Sequence, residues 1–167
     1  MADFYKAVKQ VLGFEGGWSD DPDDSGGKTK YGITEAVAKN HGLNVETITQ
    51  GEAENIYLFD YWRPCKANEL SDQRLATIIF DTAVNCGVSR AVKIFQAVLN
   101  DVYDCSLLVD GDFGPITLRT FREKEKYSKG IIMAYLVKRY EYYFEIVRLN
   151  AKNEKFLKGW LNRLGEL

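Results

Sequence analysis

Phe14-Glu15-Gly16-Gly17-Trp18-Ser19-Asp20-Asp21-Pro22-Asp23-Asp24-Ser25-Gly26-Gly27-Lys28-Thr29-Lys30-Tyr31-Gly32-Ile33-Thr34 is the stretch around which the chain is organised. It gathers one isolated glutamate, four aspartates and five glycines, a density of carboxylates and permissive backbone found nowhere else in the sequence. Just upstream, Phe4, Val8, Val11 and Leu12 fall at i, i+4, i+7 and i+8, which predicts an amphipathic helix with Asp3 as its N-cap. The next position on that apolar face is Glu15, where Gly16-Gly17 stop the helix. The negative end of the helix dipole and the apolar neighbours both disfavour an ionised carboxylate there. A carboxylic acid held protonated near neutral pH is suited to general acid catalysis. An ordinary solvated helix end is the other reading of the same position.

Asp24 follows Glu15 by nine residues, Thr29 follows Asp24 by five, and Tyr31-Gly32-Ile33-Thr34 comes next. Glycosidic cleavage uses one acid to protonate the leaving oxygen and a second carboxylate across the bond. The run EGG, DP, D, GG, T and GIT resembles the signature of the glycoside hydrolase 108 muramidases, which include phage endolysins and bacterial secretion activator proteins. In that resemblance Glu15 matches the catalytic glutamate. The Glu–Asp–Thr order is also similar to phage T4-type lysozymes, with Asp24 and Thr29 in approximate correspondence and a different threonine spacing. The resemblance implies that Glu15 protonates the leaving oxygen, that Asp24 positions water or stabilises a cationic sugar, and that Thr29 orients the water. Tyr31, Asp81 and Asn85 join it as substrate-binding candidates.

The acidic loop has a competing reading as a calcium site. Asp21, Asp23, Ser25 and Gly26 stand at positions one, three, five and six of an EF-hand loop, but Gly32 occupies the twelfth, where a bidentate glutamate is needed. Three widely spaced cysteines (Cys65, Cys86 and Cys105) and a single His41 make no zinc constellation and read as reduced thiols. We therefore expect no metal and no cofactor. A net charge of -2 carries no nucleic-acid footprint and no attraction to an anionic wall or membrane. Binding to a glycan must then rest on shape, hydrogen bonds and aromatic contacts. The N-terminus reads as an amphipathic helix and not as a signal peptide, and no apolar run reaches the length of a membrane span. The expectation is synthesis in the cytoplasm and action at the wall or periplasm after holin-type or secretion-linked release, as a monomer.

Further along, Thr34 is expected to cap a short helix ended by Gly42, and Thr49-Gln50-Gly51-Glu52 is a capping box opening a helix to about Tyr61. Tyr61-Trp62-Arg63-Pro64 closes it, its aromatics serving either the core or a sugar. Ser71 is expected to cap a helix to Cys86, on which Asp81 and Asn85 lie four apart on one side. This polar pair suits a glycan's N-acetyl or hydroxyl groups, or else local hydrogen bonds. A helix from Ser89 carries Val92, Phe95, Val98 and Leu99, with Gln96 beside them. The turn Asp110-Gly111-Asp112-Phe113-Gly114-Pro115 then resembles that of small helical peptidoglycan-binding modules. Ser128 opens a long tyrosine-rich helix, and residues 156–164 form an amphipathic closing helix, similar to the FxxGWxxR ending of the same family. No stretch alternates strongly enough for a strand.

These readings predict a mainly α, lysozyme-like protein of two helical lobes. Residues 1–88 form the catalytic lobe and 89–167 a peptidoglycan-binding-like lobe. The expected activity is peptidoglycan hydrolysis, as an N-acetylmuramidase acting on glycan strands. A non-catalytic peptidoglycan-binding protein that keeps the fold is the alternative.

Overall fold

The computed structural model describes residues 1–14, 18–19 and 28–167, with Phe14, Trp18 and Ser19 described through their backbone alone. Helix α1 (Phe4–Phe14) begins where Asp3 can cap it: the Asp3 carboxylate accepts from the amides of Tyr5 at 2.8 Å and Lys6 at 3.3 Å. Its apolar face buries Ala7, Val8 and Val11.

Three short strands follow, β1 (Trp18–Ser19), β2 (Thr29–Lys30) and β3 (Ile33–Thr34), paired antiparallel in that order. They add a minor sheet to the mainly α fold that the sequence predicts. Two residues per strand cannot display an alternating pattern. Helix α2 (Glu35–Asn40) is capped by Thr34, and α3 (Gln50–Ile56) by the Thr49–Glu52 capping box. Beyond Ile56 the helix widens into a π-helical turn over Tyr57–Trp62. That turn buries Tyr57 and Trp62, and Trp62 packs edge-on against Phe4 and Phe80.

Helix α4 (Gln73–Cys86) is the axis of the molecule. Residues 75–83 are buried without interruption, so this helix is covered on every side. Its N-cap is Asp72, whose carboxylate accepts from the Leu75 amide at 3.1 Å; Ser71, expected in that role, instead hydrogen-bonds Glu125. Gly87, at φ 84°, turns the chain directly into α5 (Val88–Tyr103).

The remaining helices are α6 (Pro115–Lys124), α7 (Ser128–Leu149) and α8 (Glu154–Gly165). The turn before α6 is built on Gln96, a buried side chain of α5. Its amide nitrogen donates to Asp110 Oδ1 (2.8 Å), Asp112 O (3.0 Å) and Thr117 Oγ1 (3.2 Å), and its oxygen accepts from Gly111 N (2.9 Å). Phe113 stacks on Phe95 beneath the turn. Side chains from both sides of residue 88 join one buried cluster. The C-terminus returns to α4 and α1, with Arg74 donating to Leu167 O at 3.0 Å and Gln10 to Glu166 O at 3.1 Å. The protein is thus mainly α and lysozyme-like.

Candidate active site

The site is approached from the hairpin of β2 and β3. Lys30 pairs with Ile33, so Tyr31 and Gly32 alone make the turn, with φ of 52° and 72°. Two successive positive φ angles are what a two-residue hairpin turn of the mirror-image type I needs. Glycine suits the second position; tyrosine in the first is strained. The strain is held from behind: Tyr57 donates its hydroxyl to the Tyr31 carbonyl at 2.8 Å. Tyr57 is itself buried, edge-on to Phe80 of α4. The axis helix therefore fixes the hairpin tip through one phenol.

Thr29 sits in the middle strand, paired with Ser19 of β1 and Thr34 of β3. Two lysines on either side of it clamp the hairpin to the 44–48 loop. Lys28 forms an ion pair with the Glu46 carboxylate, and Lys30 donates to the Glu46 carbonyl at 3.0 Å. The Lys28 hydrogen bond and charge hold the Glu46 carboxyl below its ordinary value.

Glu15 and Asp24, and with them the acidic loop of the calcium reading, lie outside the described residues. Their described flanks are the end of α1 at Phe14 and strands β1 and β2. Tyr31 is at the hairpin tip, half-buried, with its ring 5.6 Å from Lys30 Nζ. The structure thus brings Thr29 and Tyr31 together on one hairpin.

Asp81 requires a correction. It has no exposed surface, so its carboxylate is enclosed by protein. One carboxylate oxygen accepts from Arg163 of α8 at 2.7 Å, and the other lies 2.6 Å from Nη1 of Arg139 of α7, a close ionic contact without good hydrogen-bond alignment. Two guanidiniums offset the cost of burying the carboxylate, which a neutral glycan could not do. Arg139 also donates twice to the Tyr143 hydroxyl, at 2.9 and 2.7 Å. Burial pulls its pKa down, but the Asp81 charge outweighs that and raises it, so Arg139 stays charged. Asn85 is exposed and its amide donates to the Asp81 backbone carbonyl at 2.8 Å, so the two side chains do not form a joint polar pair.

Sequence reasoning missed Tyr57 and the Glu46 clamp. The only available signal for Tyr57 was its phenol, a polar tip that a buried position obliges to find a partner. All three thiols are free. Burial pushes Cys65 up to about 12 and also raises Cys86, so neither offers a thiolate near neutral pH. Among the described residues no cluster of His, Cys, Asp and Glu is arranged to hold a metal.

Comparison with known proteins joins this helical fold to the peptidoglycan-related glycosidases. Residues 8–87 match the family model described as Glycosyl hydrolase 108, and residues 90–165 match that described as Predicted Peptidoglycan domain. Among solved structures the chain is similar to that of Brucella abortus SagA, with a TM-score of 0.81 at 29% identity over 97% of this chain and 89% of the other. The comparison with curated proteins gives no match.

Proposed function

We propose that the protein is an N-acetylmuramidase that hydrolyses the β-1,4 bond between N-acetylmuramic acid and N-acetylglucosamine in peptidoglycan. The observation that carries this reading is the glycosyl hydrolase 108 match over residues 8–87, which contains Glu15, the residue that follows α1 in the sequence, and the Thr29–Tyr31 hairpin. Glu15 is the general acid for the leaving oxygen. Asp24 positions water or stabilises positive charge on the sugar, and Thr29 orients that water. Tyr31 and Asn85 contact the glycan; Asp81 holds α4 to α7 and α8 instead. Residues 1–88 act as the catalytic lobe, and 89–167 engage the wall polymer. Release to the wall follows a holin-type or secretion-linked route. Among the described residues no helix is long and apolar enough to cross a membrane.

The test is mass spectrometry of fragments released from purified peptidoglycan. New muramic-acid reducing ends are expected. New glucosamine ends would replace this reading with a glucosaminidase, anhydro-muramic ends with a lytic transglycosylase. No release would leave a binding protein.

A further inference from the structure

The Tyr61-Trp62-Arg63-Pro64 motif has no part in the site above, yet it opens a cavity. The chain after the π-helical turn folds tightly, with Cys65 N bonded to Tyr61 O at 3.1 Å and Lys66 N to Arg63 O at 3.0 Å. Lys66 takes the left-handed conformation at φ 54°, which a residue with a Cβ adopts at some cost. A cavity of about 400 Å³ lies against Trp62, Arg63, Lys66 and Asn68. A second, also about 400 Å³, is lined by Lys66, by Glu69, and by Asp112, Phe113 and Pro115 of the turn that Gln96 organises. Lys66 lines both. The two together cross from the glycosyl hydrolase segment to the peptidoglycan domain segment, the kind of junction where ligand sites concentrate.

The charges along this track are sorted. Arg63 lies flat over the exposed Phe59 ring, 4.3 Å from its centroid, which orients the guanidinium while leaving its fork available. Among the described residues neither Arg63 nor Lys66 has a carboxylate partner. Glu69, the nearest acid in the turn, is taken by Arg122 at 3.2 Å and Asn68 at 3.1 Å. At the far end the exposed Asp112 carboxylate has no cation among the described residues, although its backbone amide is bound by Asp110. A ligand fitting this track carries carboxylates at one end and an amine at the other, on a short extended chain.

We infer that this track binds the stem peptide of peptidoglycan, its free carboxylates at Arg63 and Lys66 and its diamino-acid amine at Asp112. The inference rests on the muramidase reading, because only a wall substrate presents such a peptide beside the scissile glycan. Its reach is compatible with that reading. Ten helical steps put Phe4, which packs on Trp62, about 15 Å from the end of α1 that leads to Glu15, and four to five extended residues span about the same.

The experiment titrates the full chain calorimetrically with a free tripeptide of alanine, γ-linked glutamate and diaminopimelate, and separately with a peptide-free chito-oligosaccharide. The Arg63→Gln/Lys66→Gly double variant should bind the tripeptide at least about tenfold more weakly, since two charge-assisted hydrogen bonds are lost. Glycine accepts the left-handed backbone at residue 66, so its thermal melt should match wild type, and Lys66→Arg should retain binding. Asp112→Asn should weaken the tripeptide but not its N-acetylated diaminopimelate form. Oligosaccharide binding should be unchanged throughout. Equal tripeptide affinity in wild type and the double variant, or no saturable binding by wild type, overturns the inference. Tripeptide binding without hydrolysis of purified walls would remove the muramidase reading and spare the track; hydrolysis without tripeptide binding would do the reverse.

Discussion

The Tyr31 hairpin and the Asp81 junction are held by opposite means. The hairpin tip is a strained turn supported by one phenol and by a lysine clamp at the surface. The junction is a buried carboxylate between two guanidiniums from α7 and α8. Surface contacts are individually weak and can be lost one at a time. A buried ionic cluster works as a unit, because removing one member leaves the others charged and desolvated. The region read as the site therefore rests on adjustable contacts, while the helix that supports it is locked to the peptidoglycan domain segment.

The largest effect tests that lock. A fragment ending at residue 88 leaves Asp81 without Arg139 and Arg163 and exposes the faces of α4 that α5 and α7 cover. It should lose cooperative thermal unfolding by circular dichroism. A fragment that melts cooperatively and keeps full activity would show two independent lobes. Next, Asp81→Ala in the full chain should cost about 3–5 kcal/mol in denaturant unfolding. Replacing all three members together with apolar residues of similar size should recover most of that loss, which a set of independent contacts would not do.

The hairpin should respond more mildly. Tyr57→Phe removes a single hydrogen bond to the Tyr31 carbonyl and should cost about 0.5–1.5 kcal/mol. Its melt should shift little while wall hydrolysis falls, if the tip must be held in place. The smallest effect belongs to Glu46→Gln. The folded pKa of Glu46 is depressed by Lys28, so its contribution is complete above the ordinary value of 4.5 and fades as pH falls through the lower folded value. Wild type and variant should converge in stability at acid pH and in high salt. A difference that persists at low pH would contradict the clamp.

Most of the fold was legible because helices announce themselves by period and caps. Asp3, Thr34 and the Thr49–Glu52 box all cap as expected, and Pro115 stands at the first position of α6. The strands were not legible, since two residues have no period, and the order of the hairpin depends on a tyrosine where glycine or asparagine is usual. The π-helical turn was missed because a widened turn keeps the composition of an ordinary helix. Asp81 was misjudged for a different reason. The i, i+4 spacing put it on one side of α4 with Asn85, but its partners, Arg139 and Arg163, lie on helices more than fifty residues away. Ser71 lost the cap to its neighbour Asp72, within the shift of one residue that helix ends commonly show.

The central claim is that Glu15 supplies the proton for glycosidic cleavage. Lysis of purified peptidoglycan by wild type and by Glu15→Gln, beside thermal melts of both, tests it most directly. Glutamine keeps the size and cannot donate a carboxylic proton. The account predicts a loss of at least about a hundredfold in rate. The melt should be equal or slightly higher, because glutamine replaces a carboxyl group whose ionisation a position following a helix C-terminus disfavours. A variant that melts normally and lyses walls within a few-fold of wild type would contradict the assignment of Glu15 and the mechanism built on it.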